Sequence, residues 1–383
     1  MQLSYTDEEA MLADQARRYL DDRYPFSGRR SRLAAGGLDP QVWQDFARFG
    51  WLGLCSPDTF EGAAPLLLAL AEELGRALVT EPFVTCAVES AAILGALSES
   101  EVARALASDI ASGQAVILIA HAEAGAGYDP HHVECRAVAA TDGRFRLSGR
   151  KVRVAHAGRA DVFLVTAREA GRAREADGIS LFRVEASQVA LDGPEKLLLD
   201  GTPARDLVLD GVEVTAADRL GQPGGAAAAI DSAREKAILA LTGMSLGAMA
   251  ALVEQTALYL ETRVQFDRPL SSFQALRHRL SDMVISVERA RSAAWAAVNA
   301  VAAGGRDAAR GIAVAKVECA RAGRSIAQDA VQLHGAVGTT EELKIGHYLR
   351  FLEMTGVRFG NRAYHLATIT EQLRTQAHRG RQH

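Results

Sequence analysis

Arg263, Gln265, Phe266 and Gln274 lie in one short stretch, Tyr259-Leu-Glu-Thr-Arg263-Val-Gln265-Phe266-Asp-Arg-Pro269-Leu-Ser-Ser-Phe273-Gln274. Their chemistries are complementary. Arginine presents a rigid fork of donors to phosphate oxygens, phenylalanine offers a stacking face, and a glutamine amide can read the edge of a ring. Together they suit a phosphate that carries a flat heterocycle. An R-x-x-F pair alone is a weak signal, because an arginine capping a helix end beside a core phenylalanine reads the same way. Continuation of the pattern through Pro269 and Gln274 makes it specific.

A second segment, Gln332-Leu-His334-Gly335-Ala336-Val-Gly338, combines an amide, an imidazole and glycines that let a backbone approach a ligand closely. His334 is a poor metal ligand candidate, since no second His or Cys lies at ligand spacing, and no metal is expected. The His131-His132 pair reads as a solvated loop.

Composition narrows the possible functions. The chain has 383 residues, 48% of them hydrophobic and 23% charged, enough for two or three domains with a buried core. A net charge of -4 and a pI near 6.2 argue against a nucleic-acid surface, and Arg-Arg-Ser-Arg at 29–32 is too short to alter that. Four scattered cysteines, none in a C-x-x-C pair, favour reduced buried thiols in a cytoplasmic protein over disulfides or zinc. No basic-then-apolar leader is recognised at the N-terminus. No apolar run is expected to reach the ~20 residues of a membrane span, because the best candidate, 226–251, contains Asp231, Arg234, Glu235 and Lys236.

The elements that must position these residues follow from periodicity and punctuation. Thr6-Asp-Glu-Glu9 is a capping box opening an amphipathic helix, and Asp39-Pro40 supplies an N-cap and first-turn proline to another. Further helices are expected near 64–77, 85–97 and 99–112, the last capped within Ser98–Glu101. From about residue 115, short β-branched or alternating runs separated by Asp142-Gly143, Ser148-Gly149 and Asp177-Gly178 predict a small antiparallel β barrel or sandwich. Gly221–Gly225 reads as a linker. Beyond it, four long helices near 226–265, 271–303, 306–335 and 341–375 predict a four-helix bundle. The expected division is a helical domain at 1–114, a β domain at 115–222 and a helical bundle at 223–383, an α+β multidomain chain.

That architecture and both motifs resemble the acyl-CoA dehydrogenase family over the whole chain. The resemblance implies FAD as cofactor and an acyl-CoA thioester as substrate, dehydrogenated between its α and β carbons. It assigns Arg263 to the FAD diphosphate, and Gln265, Phe266 and Gln274 to the adenine half. Gln332, His334 and Gly335 correspond to a Q-x-x-G-G-x-G loop beside the cofactor, with Ala336 in place of the second glycine. In the family these elements hold the flavin of a neighbouring subunit, whose ring lies in that neighbour.

The segments that would serve this chain's own ring depart from the family pattern. His121-Ala-Glu123-Ala-Gly125-Ala-Gly127-Tyr128-Asp129 stands for T-E-P-x-A-G-S-D, which puts Tyr128 at the substrate entrance in place of a small serine. Arg153-Val154-Ala155 stands for W-I-T and lacks both the indole and the hydroxyl. Phe359-Gly360-Asn361 stands where a Glu-Gly-Thr would supply the base, and Ala237 stands at the alternative base position. Glu235 is a weak substitute, two residues away and turned to nearly the opposite helix face. Glu353 and Glu235 read better as surface or ion-paired carboxylates.

The resemblance therefore points to a subunit of the small-subunit type seen in pimeloyl-CoA dehydrogenases and bacterial steroid side-chain dehydrogenases. Such a subunit would share FAD with a homologous partner that supplies the base, in lipid or steroid catabolism. A self-sufficient homo-oligomer, a flavin monooxygenase on the same scaffold and a scaffold without cofactor remain open.

Overall fold

The computed structural model describes residues 4–55, 60–141, 143–303 and 307–380. Residue contacts gather into two compact units, one of 1–28, 64–79 and 238–383 and one of 29–63 and 80–237.

The N-terminal third is helical: α1 Asp7–Arg23, α2 Arg29–Ala34, α3 Pro40–Arg48, α4 Phe60–Arg76, α5 Ala91–Ala96 and α6 Glu101–Ala111, with a π-helical stretch Phe83–Ser90 leading into α5. The caps sit where side-chain chemistry puts them. Thr6 accepts from the Glu9 amide at 3.4 Å, and the Glu9 carboxylate accepts from the Thr6 amide at 2.7 Å. Asp39 accepts from the amides of Gln41 and Val42. Ser100, within the predicted Ser98–Glu101 cap, accepts from Ala103.

In the second unit a sheet follows: β1 Ile117–Ala120, β2 Arg136–Ala139, β3 Arg144–Ala155, β4 Val162–Arg168, β5 Ile179–Glu185, β6 Ala190–Leu197, β7 Pro203–Thr215 and β8 Arg219–Leu220. Its order is β6-β7-β3-β2-β4-β5-β8, mostly antiparallel, with β1 and β2 lying parallel to β4. Ser148-Gly149 is not a turn. It lies inside the long strand β3, beside a register shift against β7, and Gly149 is needed because an added Cβ would meet the Cys135 backbone at 2.8 Å. Strands β6 to β8 are not among the predicted runs, and for β6 the reason is physical. Strand β6, with Gly193 and Pro194, is an exposed edge, where proline is tolerated because one side of the strand makes no ladder bonds. Asp142 lies outside the described residues, whereas Asp177-Gly178 does turn, with Gly178 at φ +88°.

The chain continues into α7 Ala227–Thr262, the hairpin β9 Val264–Gln265 and β10 Arg268–Pro269, then α8 Gln274–Ala302, α9 Asp307–His334, α10 Lys344–Val357 and α11 Arg362–Gly380. The predicted fourth helix is therefore two, broken at Phe359 (φ +57°) and Gly360 (φ +119°), a conformation no helix continues through. The expectation about apolar runs is also corrected. Helix α7 has an 18-residue window apolar enough for a span, and 83% of that window is buried within the protein, as in a core helix.

Helices α4 and α7 cross at backbone contact in the first unit. A Cβ added at Gly247 would lie 1.7 Å from the Glu72 carbonyl oxygen, and one at Gly75 would lie 1.9 Å from that of Met244. Gly247→Ala must push two buried helices apart, and it is expected to lower the urea-unfolding free energy by ~3 kcal/mol. A loss under ~1 kcal/mol would show that the crossing is not tight.

Lys316, fully inside this unit, donates to the Thr355 carbonyl near the C-terminus of α10 and so satisfies an end-of-helix acceptor. Burial pulls its pKa down to about 7. Between that value and the usual 10.5 the unfolded chain binds the proton and the folded chain does not, so this group makes stability rise with pH. Stability curves of wild type and Lys316→Met are expected to diverge in slope from pH 7 to 10, the variant lacking the rise. Parallel curves would refute the assignment.

Candidate functional site

Helix α7 ends at Thr262, which delivers Arg263 to the base of the β9–β10 hairpin. The Leu270 amide donates to the Arg263 carbonyl at 2.9 Å and fixes the backbone there. The two hairpin residues, Phe266 and Asp267, both have positive φ, +53° and +59°. Two-residue turns of that form are usually Asn-Gly, and side chains held there store strain of order 1–3 kcal/mol each. The strain presents Phe266 outward, 82% exposed, its ring centroid 6.0 Å from that of Phe273 in an edge-on arrangement, and Arg268 stacks over Phe273 at 4.0 Å.

Arg263 opens onto a cavity of about 590 Å³ in the first unit, of a size that holds a cofactor fragment. Its guanidinium makes no hydrogen bond or ion pair among the described residues. The end of α9 and the turn after it also line the cavity, Gln332 to Val337, and the first turn of α8 contributes Ala275 and Leu276. His334 is stacked on Tyr259 at 4.3 Å and its Nδ1 lies 2.8 Å from the Ala330 carbonyl oxygen, which can only accept. Burial holds its pKa below the usual imidazole value, so the ring is neutral near pH 7 with Nε2 as an acceptor. Gly335 has φ +64°, and a Cβ built on it meets nothing within 4 Å. The backbone there lies open to a close ligand.

The cavity thus brings together Arg263, Gln265, Gln332, His334 and Gly335 from two segments some seventy residues apart in sequence. Phe266 and Gln274 do not line it. Phe266 projects from the turn and Gln274 is exposed at the start of α8. Tyr259 and Arg279 line the cavity but were missed in the sequence. The available signal was helical spacing, because Arg279 lies one turn beyond Ala275 and Leu276 on the same face of α8. An unengaged arginine, an acceptor imidazole and an open glycine fit the diphosphate and ribose of a nucleotide.

The second unit holds the departures at 121–129, 153–155 and 237, and the first unit the one at Phe359. Arg153 sits at φ +52° on a bulge of β3, its amide donating to Asp206 at 2.8 Å, with its side chain exposed. Ala155 offers no hydroxyl. Beneath them Lys151, wholly buried, donates to Glu123 at 2.6 Å and to Thr166 at 3.0 Å, while His121 is pushed down to a pKa of about 3 by burial and by Lys151. Tyr128 is half-buried, with its carbonyl 3.4 Å from Arg234. The solvated-pair reading of His131-His132 is corrected: His131 pairs with Asp231 at 3.1 Å, and His132 is buried beside Glu134.

Glu123, His132 and Glu134 place ligand atoms within 4.8 Å of one another. The Glu123 carboxylate, however, already accepts from Lys151 and from the amides of Glu134 (2.6 Å) and Cys135 (3.1 Å). An ammonium at that distance opposes a divalent cation. Glu235 is partly buried, and burial followed by Asp231 raises its pKa. Ala237 is buried, and Glu353 is held by Arg324 at 2.5 and 2.8 Å, the ion pair expected of it.

Family models cover most of the chain. The acyl-CoA dehydrogenase N-terminal, middle and C-terminal domain models match residues 6–114, 119–212 and 226–374. The chain belongs to the acyl-CoA dehydrogenase family, oxidoreductases of CH–CH groups. Acyl-CoA dehydrogenase FadE27 of Mycobacterium tuberculosis is 28% identical over 348 residues, 88% of each chain. The probable short/branched chain specific acyl-CoA dehydrogenase of Dictyostelium discoideum is 28% identical over 255 residues, which span 66% of this chain and 61% of that one. The structure of the ChsE4-ChsE5 complex from Mycobacterium tuberculosis superposes with a TM-score of 0.83 at 26% identity, covering 97% of this chain and 99% of that one.

Proposed function

We propose that the chain is the subunit of a hetero-oligomeric acyl-CoA dehydrogenase that holds the adenosine-diphosphate half of FAD for a homologous partner. FAD, when bound, supplies the ring that accepts the β-hydride of the acyl-CoA. This chain's contribution is positional. Arg263 neutralises and orients the diphosphate, Nε2 of His334 accepts from a ribose hydroxyl, and the open backbone at Gly335 allows close approach. The partner contributes the carboxylate that removes the α-proton, a group worth roughly 10²–10⁴-fold in rate.

The observation that carries this reading is an asymmetry. Arg263 is unengaged and faces a nucleotide-sized cavity, while positions 153, 155, 237 and 359 hold none of the groups a complete site of its own would need. A relative solved as a complex of two chains supports the divided arrangement. Assaying the chain alone and co-expressed with a homologue that carries a W-x-T segment and a Glu base, with fatty and steroid acyl-CoA and an electron acceptor, tests it. Turnover is expected only from the co-expressed pair, and turnover by the isolated chain would overturn the reading.

One observation favours a second reading. Glu235 is a carboxyl whose pKa is raised by burial, a property suited to a base in a self-sufficient homo-oligomer. In that case the isolated chain turns over and Glu235→Gln abolishes the activity.

A further inference from the structure

We propose that Arg279 is a second cationic anchor for the cofactor diphosphate, held in reserve by Asp329. The inference rests on the nucleotide reading of the cavity and adds to it a residue that neither motif contains.

A dinucleotide diphosphate carries two negative charges, and Arg263 supplies one positive charge. Arg279 lines the same cavity from α8. Its Nη1 lies 3.7 Å from Asp329 Oδ1, beyond hydrogen-bond distance, and its side chain is half exposed. It makes no hydrogen bond among the described residues. Such a loose, exposed pair is weaker than a charge-assisted bond to phosphate, so a diphosphate should win the guanidinium from Asp329. The first turn of α8, through Ala275 and Leu276, faces the same space, and the positive end of a helix favours an anion there as well. His334, neutral, adds no charge, which leaves the two arginines as the cations on the cavity wall.

The test titrates the full chain, in whatever oligomer it is purified as and freed of flavin, with FAD, ADP and adenosine. Arg279→Met is expected to weaken FAD and ADP by roughly ten- to hundred-fold while leaving adenosine unchanged, since adenosine has no phosphate. Arg279→Lys should recover part of the loss, and Asp329→Asn should tighten ADP several-fold by releasing Arg279. If Arg263→Met weakens ADP but Arg279→Met binds it as wild type does, the inference fails and the nucleotide reading stands. If neither substitution moves ADP or FAD, the nucleotide reading itself fails. Should Arg279→Met not fold, Asp329→Asn decides, and unchanged ADP affinity there overturns the proposal.

Discussion

Arg263→Met is expected to lower FAD affinity by roughly 10²–10³-fold while leaving the thermal stability of the flavin-free chain unchanged. The split between the two readouts follows from geometry. The guanidinium makes no hydrogen bond or ion pair among the described residues, so its removal costs the fold little, within the ~0.5 kcal/mol of a surface substitution. To a diphosphate it would offer two or more charge-assisted bonds, each ~1.5–3 kcal/mol in a half-enclosed cavity. Flavin absorbance after gel filtration measures the first effect and a melting curve the second. A variant that keeps its flavin and melts early would show that Arg263 is a structural residue and not a ligand.

Arg168→Met should have the largest effect on stability, a loss of ~4 kcal/mol or more. Arg168 is fully buried in β4, and the five N–H groups of its guanidinium serve six backbone carbonyls, one hydrogen being shared, and no carboxylate: Val133 at 3.0 Å, His131 at 3.0 Å, Asp177 and Glu175 at 2.8 Å, Ala173 at 3.1 Å and Ala170 at 3.4 Å. One side chain therefore latches two loops, 131–133 and 170–177. Methionine fills some of the volume but leaves the carbonyls without donors, at ~1–3 kcal/mol for each that water cannot reach. Lysine, with three donors, could satisfy only about half of them. Urea unfolding measures the loss, and hydrogen exchange should show residues 170–177 opening first. A loss under ~1 kcal/mol would mean that water replaces the arginine.

Arg168 also marks how far the sequence could be read. Helices α1 and α3 were legible because their caps are local, a hydroxyl or carboxylate three residues from the amide it satisfies. The two segments that line the cavity stood out in the sequence because arginine, aromatic and glycine lie at fixed spacing there. Position 168 was not legible, because its partners are backbone carbonyls of distant segments with no local pattern to betray them, and position 279 had only its helical spacing from Ala275 and Leu276. The break at Phe359-Gly360 was hidden for a related reason: two consecutive positive-φ residues end the helix, a backbone feature that side-chain periodicity does not record. Strand β6 was hidden because an exposed edge needs no apolar alternation. His132 was misjudged since a pair of histidines in a polar run carries no mark of burial.

The proposed division of labour requires one flavin shared between two unlike chains. Native mass spectrometry of the chain co-purified with its homologous partner measures this directly. One FAD for each pair of unlike chains, lost on Arg263→Met in this chain, is the expected result. A flavin on every chain, or full occupancy with Arg263 replaced, would contradict it.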